Sequence, residues 1–346
     1  ATTSIAIRSD QEQLFTATKM EPLTHTLSQH WELDGQIVGV NNSFLLKGSD
    51  VANGDHVVRV LIKDESPFVR NDPQQLLSTS RSWNVNVRPA ERTPFDYDAD
   101  GRADLSVQRP ATNFWYLLRS SAGYMLMEWG AAGDRLVPAD YDADAKTDVA
   151  VFRPTLGQWF FFMSGTQTFQ SVRWGVAGDL PVPTDRDGDG RADLVLYRPS
   201  NSVWYTKFAN GSLATTEFGV AGDKPLLGDF DADGIGDIAL FRPSNNNWYI
   251  LKSSLGFFIQ TWGETGDIPV PADFDGDGAT DQGVFRPSTG QWFLSRTTEG
   301  FGSQSWGQAG DIPVAADYDG DGRADIAVFR PSNATWYIVN SSAGQL

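Results

Sequence analysis

Apolar residues in this chain come in short runs and rarely at a helical period. Ile326-Ala327-Val328-Phe329, Thr335-Trp336-Tyr337-Ile338-Val339, Phe301 to Trp306 and Ile312-Pro313-Val314 are bounded by Gly, Asn, Ser and Pro clusters. β-branched and aromatic residues dominate them, and no stretch of about ten residues keeps a helical face, so the pattern predicts short antiparallel strands. Residues 1–92 show a different alternation. Gln36 to Val40, His56 to Ile62 and Ser82 to Val87 are β-like stretches broken by Asp34-Gly35 and Asn53-Gly54-Asp55, which predicts a small β-sandwich. Arg88 to Pro94 reads as the linker, and a helical reading of Asp10 to Met20 is weak.

From residue 93 onward the strand pattern repeats. The string Asp-x-Asp-x-Asp-(Gly/Ala)-x-x-Asp begins at Asp96, Asp140, Asp185, Asp229, Asp273 and Asp317, at spacings of 44, 45, 44, 44 and 44 residues. An Arg-Pro pair follows each copy (Arg109, Arg153, Arg198, Arg242, Arg286, Arg330), then a Trp (Trp115, Trp159, Trp204, Trp248, Trp292, Trp336). Five units continue into an aromatic-Gly pair at Trp129, Trp174, Phe218, Trp262 and Trp306, and then into Gly-Asp and a Pro-containing approach to the next loop. Four short strands in a repeat of this length are the signature of a propeller blade, whereas a solenoid of the same period needs capping units. The expected fold is all-β: an N-terminal β-sandwich (1–92) followed by a six-unit β-propeller (93–346). The final unit stops at Gly344-Gln345-Leu346, where the others enter a fourth strand. The expected ring therefore has an incomplete or borrowed last strand, with a truncated seven-bladed ring as the alternative.

The Asp loops carry the clearest chemistry. Carboxylates at positions 1, 3, 5 and 9, with a flexible residue at 6, converge hard oxygens on one point, and the position 7 carbonyl adds another; Ca²⁺ takes six to eight such oxygens. The expected metal residues are Asp96, Asp98, Asp100, Arg102 and Asp104; Asp140, Asp142, Asp144, Lys146 and Asp148; Asp185, Asp187, Asp189, Arg191 and Asp193; Asp229, Asp231, Asp233, Ile235 and Asp237; Asp273, Asp275, Asp277, Ala279 and Asp281; and Asp317, Asp319, Asp321, Arg323 and Asp325. The residues at position 7 enter through their backbone carbonyls. Solvated acidic turns fail as a reading because four carboxylates so close repel one another unless a cation neutralises them. An EF-hand is excluded, since position 12 is Val107 in the first copy and Val328 in the last rather than Glu. Mg²⁺ is the weaker candidate because it keeps its waters. In copy two Ala145 replaces Gly at position 6, so that turn is expected to be strained.

Charge takes its meaning from these loops. The net charge is −17, and the six loops hold 24 of the 44 acids. Each bound Ca²⁺ cancels two charges, so six would bring −17 to −5. An acidic chain without clustered cations argues against nucleic acid. No apolar run approaches the ~18 residues of a membrane span. Ala1-Thr2-Thr3-Ser4 lacks the basic and apolar parts of a signal peptide, as expected of a processed or excised chain. There is no cysteine, hence no disulfide, thiolate site or Cys nucleophile.

Asp317-Tyr318-Asp319-Gly320-Asp321-Gly322-Arg323-Ala324-Asp325 and the following Ile326-Ala327-Val328-Phe329-Arg330-Pro331-Ser332 resemble the FG-GAP/VCBS repeats of integrin α-subunit propellers and many secreted bacterial proteins. The resemblance covers residues 93–346. It implies a propeller with Ca²⁺ between the first and second strands of each blade, an extracellular or cell-surface location, and a role in recognition or adhesion. Trp31 to Gly35 and Val69 to Pro73 more loosely resemble immunoglobulin-like accessory domains of secreted bacterial proteins, including some metallopeptidases.

Catalysis finds no constellation. His25, His30 and His56 lie outside the repeats and lack His-Glu-x-x-His spacing; Gly-x-Ser-x-Gly and phosphate-loop motifs are absent. The expected function is a non-catalytic module binding a glycan or an extracellular protein on the face opposite the Asp loops. The alternative is an accessory region of a larger secreted hydrolase whose catalytic domain lies elsewhere. The repeated Trp residues are expected to wedge sheet on sheet, with sugar stacking as the alternative. The Arg-Pro arginines are expected to pair with Asp134, Asp179, Asp223, Asp267 and Asp311, with a ligand-facing role as the alternative.

Overall fold

A computed structural model describes residues 3–8, 12–18, 26–51, 54–66, 78–88 and 93–343. The chain is all-β, with no α-helix among these residues. It divides into two compact units, Ala1–Glu91 and Arg92–Leu346.

The first unit contains β1 (Thr3–Arg8), β2 (Glu12–Thr16), β3 (Leu27–Leu33), β4 (Gln36–Gly39), β5 (Ser43–Lys47), β6 (Gly54–Asp64) and β7 (Ser78–Arg88). Five of them form a sheet in the order β1-β7-β6-β3-β4, and β2 pairs with β5. β1 runs parallel to β7, while the other pairs are antiparallel. One core draws on both groups: Phe15 and Leu46 from the pair meet Trp31, Val58, Val60, Trp83 and Val85 from the sheet. The indole N–H of the fully buried Trp31 donates to the Asn41 carbonyl, so its polar edge is not stranded. Val69 to Pro73 and most of the linker lie outside the described residues.

The second unit holds six small sheets among its described residues. The second is representative, with strands Arg135–Leu136, Val149–Arg153, Gln158–Met163 and Thr168–Arg173 paired antiparallel in chain order. The third, fourth and fifth sheets repeat this order. The first has three strands, Leu105–Arg109, Phe114–Arg119 and Gly123–Glu128, corresponding to the second, third and fourth strands elsewhere. The sixth also has three, Ile312–Pro313, Ile326–Arg330 and Thr335–Val339, corresponding to the first, second and third.

Burial follows strand position. Second strands such as Val149–Arg153 are buried on both faces, third strands alternate, and fourth strands such as Thr168–Arg173 are largely exposed. The cores lie between consecutive sheets. Phe152, Trp159 and Phe161 of the second sheet pack on Leu194 and Leu196 of the third, and Phe285, Trp292 and Leu294 of the fifth pack on Ile326 and Val328 of the sixth. Trp115, Trp159, Trp204, Trp248 and Trp292 are each no more than 2% exposed. They are packing wedges, so the sugar-stacking alternative does not apply to them.

The Asp loops are tied to one another. The N–H at position 8 of each loop donates to the position 1 carbonyl of the loop before: Thr147 to Asp96, Ala192 to Asp140, Gly236 to Asp185, Thr280 to Asp229 and Ala324 to Asp273, at 2.6 to 2.7 Å. Ala103 of the first loop donates to Asp317 of the sixth at 2.6 Å. The six bonds form a closed cycle.

Candidate metal centres

Each Asp loop is a turn held by its own carboxylates. In the first, Asp96 Oδ1 accepts the N–H groups of Asp98 and Ala99, and Oδ2 accepts that of Gly101. Asp104 ties the loop down, accepting from Tyr97 N–H through Oδ2 and from Ser120 N–H through Oδ1. Position 6 needs a left-handed backbone, with φ between 82° and 85° at Gly101, Gly190, Gly234, Gly278 and Gly322. Ala145 adopts φ 67° there, a conformation that costs a residue with a Cβ about 1–2 kcal/mol. The strain expected from the sequence is present.

Of the four carboxylates expected to converge, three do. One oxygen each from Asp96, Asp98 and Asp104 lies within 4.8 Å of the others, and the same positions group in Asp140/Asp142/Asp148, Asp185/Asp187/Asp193, Asp229/Asp231/Asp237 and Asp273/Asp275/Asp281. The position 5 carboxylates turn elsewhere. Asp100 accepts the Arg102 N–H at 3.0 Å and the Ser120 hydroxyl at 2.6 Å. Lys146, Arg191, Ile235, Ala279 and Arg323 likewise give their N–H groups to Asp144, Asp189, Asp233, Asp277 and Asp321.

The hairpin between the third and fourth strands completes each loop, a partner the sequence reading missed. Asp98 Oδ2 accepts the Ser121 hydroxyl and the N–H groups of Ser121 and Ala122. Ser253-Ser254 and Thr297-Thr298 embrace Asp233/Asp231 and Asp277/Asp275 in the same way. The signal was available: a hydroxyl residue stands 16 positions after the last loop Asp in five copies, at Ser120, Ser164, Ser253, Thr297 and Ser341. In copy three that position is Ala209 and the next is Asn210, whose side chain caps its own turn at Ser212. Arg186 replaces the aromatic at position 2 of this copy, and its half-buried guanidinium donates to the Gly236 carbonyl. The third loop therefore departs from the pattern at more points than the second.

In five of the six loops these bonds leave one oxygen unmatched. Asp98, Asp142, Asp231, Asp275 and Asp319 each hold Oδ1 buried without a hydrogen-bond partner. A buried anionic oxygen so placed is costly unless a cation meets it. Burial pushes the Asp148, Asp193 and Asp229 carboxyls up to about 6 and those of Asp237 and Asp281 up to about 7, with neighbouring carboxylates adding to the rise. Burial acts on Asp98 and Asp275 too, but hydrogen bonds from the hairpins outweigh it and hold both below the usual range.

At the opposite ends of the sheets stand the Arg-Pro turns. Arg153, Arg198, Arg242, Arg286 and Arg330 each make a two-pronged ion pair with Asp134, Asp179, Asp223, Asp267 and Asp311, at 2.7 to 2.9 Å. The same guanidinium groups stack 4.1 to 4.5 Å over Phe160, Tyr205, Tyr249, Phe293 and Tyr337. Of the histidines, His30 bonds Glu32 and His56 bonds Asp34, both in the first unit; His25 lies outside the described residues.

A family description of the FG-GAP repeat matches residues 309–346. No curated protein matches the chain. Among solved structures, the chain is similar to a virginiamycin B lyase from Staphylococcus aureus (9% identity, 72% of this chain and 84% of that one, TM-score 0.45). It is also similar to an Agrocybe aegerita lectin recognising non-reducing terminal N-acetylglucosamine (18%, 67% and 72%, TM-score 0.47). A third is an auxiliary nutrient-binding protein from Bacteroides ovatus (10%, 97% and 96%, TM-score 0.46). At these identities and scores the likenesses say nothing about what this chain binds.

Proposed function

We propose that residues 93–346 form a six-bladed, Ca²⁺-stabilised β-propeller acting as a non-catalytic extracellular recognition or adhesion module, preceded by an immunoglobulin-like sandwich. The observation that carries the metal assignment is the unmatched Oδ1 of Asp98, Asp142, Asp231, Asp275 and Asp319, buried beside two further carboxylates. The donors are all hard oxygens, which suits Ca²⁺. Positions 1, 3 and 9 would hold the ion directly, with the position 7 carbonyl and waters filling the shell, while position 5 fixes the hairpin. The closed cycle of loop-to-loop hydrogen bonds supports six blades. Strand order β1-β7-β6-β3-β4 beside β2-β5, with a buried Trp on β3, supports the immunoglobulin-like reading of the first unit.

The glycan or protein ligand is assigned to the Arg-Pro face, where five guanidinium groups are fixed by carboxylates and stacked on aromatic rings. Arginines so held add little ordering entropy on contact with a partner. Elemental analysis of the purified full chain and a glycan array run in Ca²⁺ and in EGTA test the reading together. Stoichiometric Ca²⁺ and Ca²⁺-dependent retention are expected. A metal-free protein, or one that turns over substrate, would sink it.

A further inference from the structure

The fourth sheet runs from Lys224–Leu226 through Ile238–Arg242 and Asn247–Lys252 to Gly256–Thr261, and the last of these forms its outer edge. Register fixes which backbone groups of that strand face outward. Trp262 N–H donates to the Asn246 carbonyl, and the pairs at every second position from it, Trp248 with Gln260 and Ile250 with Phe258, turn inward in the same way. The N–H and C=O groups of Phe257, Ile259 and Thr261 therefore point away from the sheet, and no described residue bonds them. An outer row of this kind is a template for a further strand.

Side chains set this edge apart from the other described fourth strands. Leu255, Phe257, Phe258 and Ile259 are 72%, 59%, 38% and 47% exposed. Gly123–Glu128 exposes two large apolar side chains, Tyr124 and Leu126, while Thr168–Arg173, Leu213–Glu217 and Gly300–Ser305 expose one each. Charge blunts the first three of these edges, through Glu128, Arg173 and Glu217, and the fifth sheet has Gly300 and Gly302 in place of side chains. From Leu255 to Trp262 there is no charged residue. The neighbouring Lys252 is engaged inside the fold, its ammonium donating to the Phe230 carbonyl at 2.6 Å and lying 5.2 Å from the Phe258 ring centre.

We infer that Gly256–Thr261 is a self-association edge, on which a second copy of this chain lays the same strand antiparallel about a two-fold axis at Ile259. The outward residues stand two apart with Ile259 at their midpoint, so Ile259 faces Ile259 and Phe257 of each copy faces Thr261 of the other. Every outward donor then meets an outward acceptor. The apolar strip selects a copy over an unlike partner, because interfaces between identical chains are the more apolar class. The rest of the chain, at net charge −17, offers carboxylates to a foreign surface; this strip offers none, and a copy brings the same uncharged side chains to cover Phe257, Phe258 and Ile259. One strand pair with its flanking side chains falls near the low end of specific interfaces, about 1,200 Å², so association in the micromolar range is expected.

Sedimentation velocity of the full chain in Ca²⁺, from about 1 to about 200 µM, should show a monomer–dimer equilibrium. Ile259→Pro deletes an outward N–H without touching the inner ladder and should weaken the dimer roughly tenfold, since both copies lose a bond. Ser303→Pro, at the same place on the fifth sheet, should leave it unchanged. Register is read with cysteine, which the chain lacks. Under oxidation Ile259→Cys should link two copies, because facing residues stand about 5.5 Å apart at Cα, and Phe257→Cys should not. These two variants decide the matter if Ile259→Pro does not fold. A chain that stays monomeric to about 200 µM overturns the proposal and leaves the edge to an unlike strand. So does a dimer that Ile259→Pro leaves intact, that Ser303→Pro weakens as much, or that Phe257→Cys links as readily as Ile259→Cys.

Discussion

Removing Ca²⁺ should reverse the ordinary pH dependence of stability. Asp237 and Asp281 are nearly fully buried and their carboxyls sit at about 7 in the metal-free fold, against an ordinary value of 3.8. A folded-state value above the unfolded one means that the native chain binds more protons between roughly pH 4 and 7, so stability falls as pH rises through that window. A shift of three pH units corresponds to about 4 kcal/mol for one carboxylate. Asp148, Asp193 and Asp229, at about 6, add to it. Two or three such terms reach the ~5–15 kcal/mol that a typical domain has in total. In EGTA the melting temperature of the second unit should therefore drop steeply from pH 5 to pH 8. With Ca²⁺ present the carboxylates are held ionised, and stability should rise over the same range because the ion competes with protons for them. Scanning calorimetry at several pH values with EGTA or Ca²⁺ reads both slopes. A metal-free melting temperature that stays flat or rises from pH 5 to 8 would refute the reasoning, whatever Ca²⁺ does.

Smaller perturbations test the individual parts. Ala145→Gly relieves the left-handed turn of the second loop and should stabilise the chain by about 0.5–1 kcal/mol in urea titrations, besides tightening Ca²⁺ binding there. Ala209→Ser restores the missing hydroxyl brace of the third loop, and calorimetric titration should show its weakest Ca²⁺ step strengthened. Asp223→Ala strands the Arg242 guanidinium and the Val220 N–H, a loss on the order of 3 kcal/mol in denaturant unfolding. Trp248→Ala should cost about 3–5 kcal/mol, and Trp336→Ala less than half as much, because only the first is fully enclosed.

Strands, loops and Arg–Asp pairs were legible in the sequence because each is local or recurs at a fixed offset. Arg153 meets Asp134 for the same reason that Arg330 meets Asp311: one strand-to-strand register repeated. The hairpin hydroxyls escaped notice because Ser and Thr are ordinary turn residues, and only their place 16 residues beyond a loop carboxylate marks Ser120 or Thr297 as a partner. The outward turn of Asp100 was hidden for a related reason. Alternate carboxylates in a loop state how many oxygens are near, but the choice between an ion and a neighbouring hydroxyl depends on a hairpin some 20 residues away. Copy two was singled out from a visible Ala145, while the deeper departure in copy three lay in residues with no obvious motif, Arg186 and Ala209. In the first unit the alternation predicted strands well; the parallel pairing of β1 with β7 joins opposite ends of the unit, and no local pattern encodes it.

The six hydrogen bonds that pass from loop to loop give the second unit the mechanics of a hoop. A linear array of repeats frays from its termini, since the outermost unit has one neighbour. Here every loop has two, and a disturbance of one is felt by both. Among the described residues five joints have a buried Trp, a fourth strand and an ion pair behind the loop contact, and the Ala103–Asp317 bond closes the cycle at the sixth. A disturbance at Asp96 therefore reaches Asp317, far apart in sequence, as directly as it reaches the next loop along the chain.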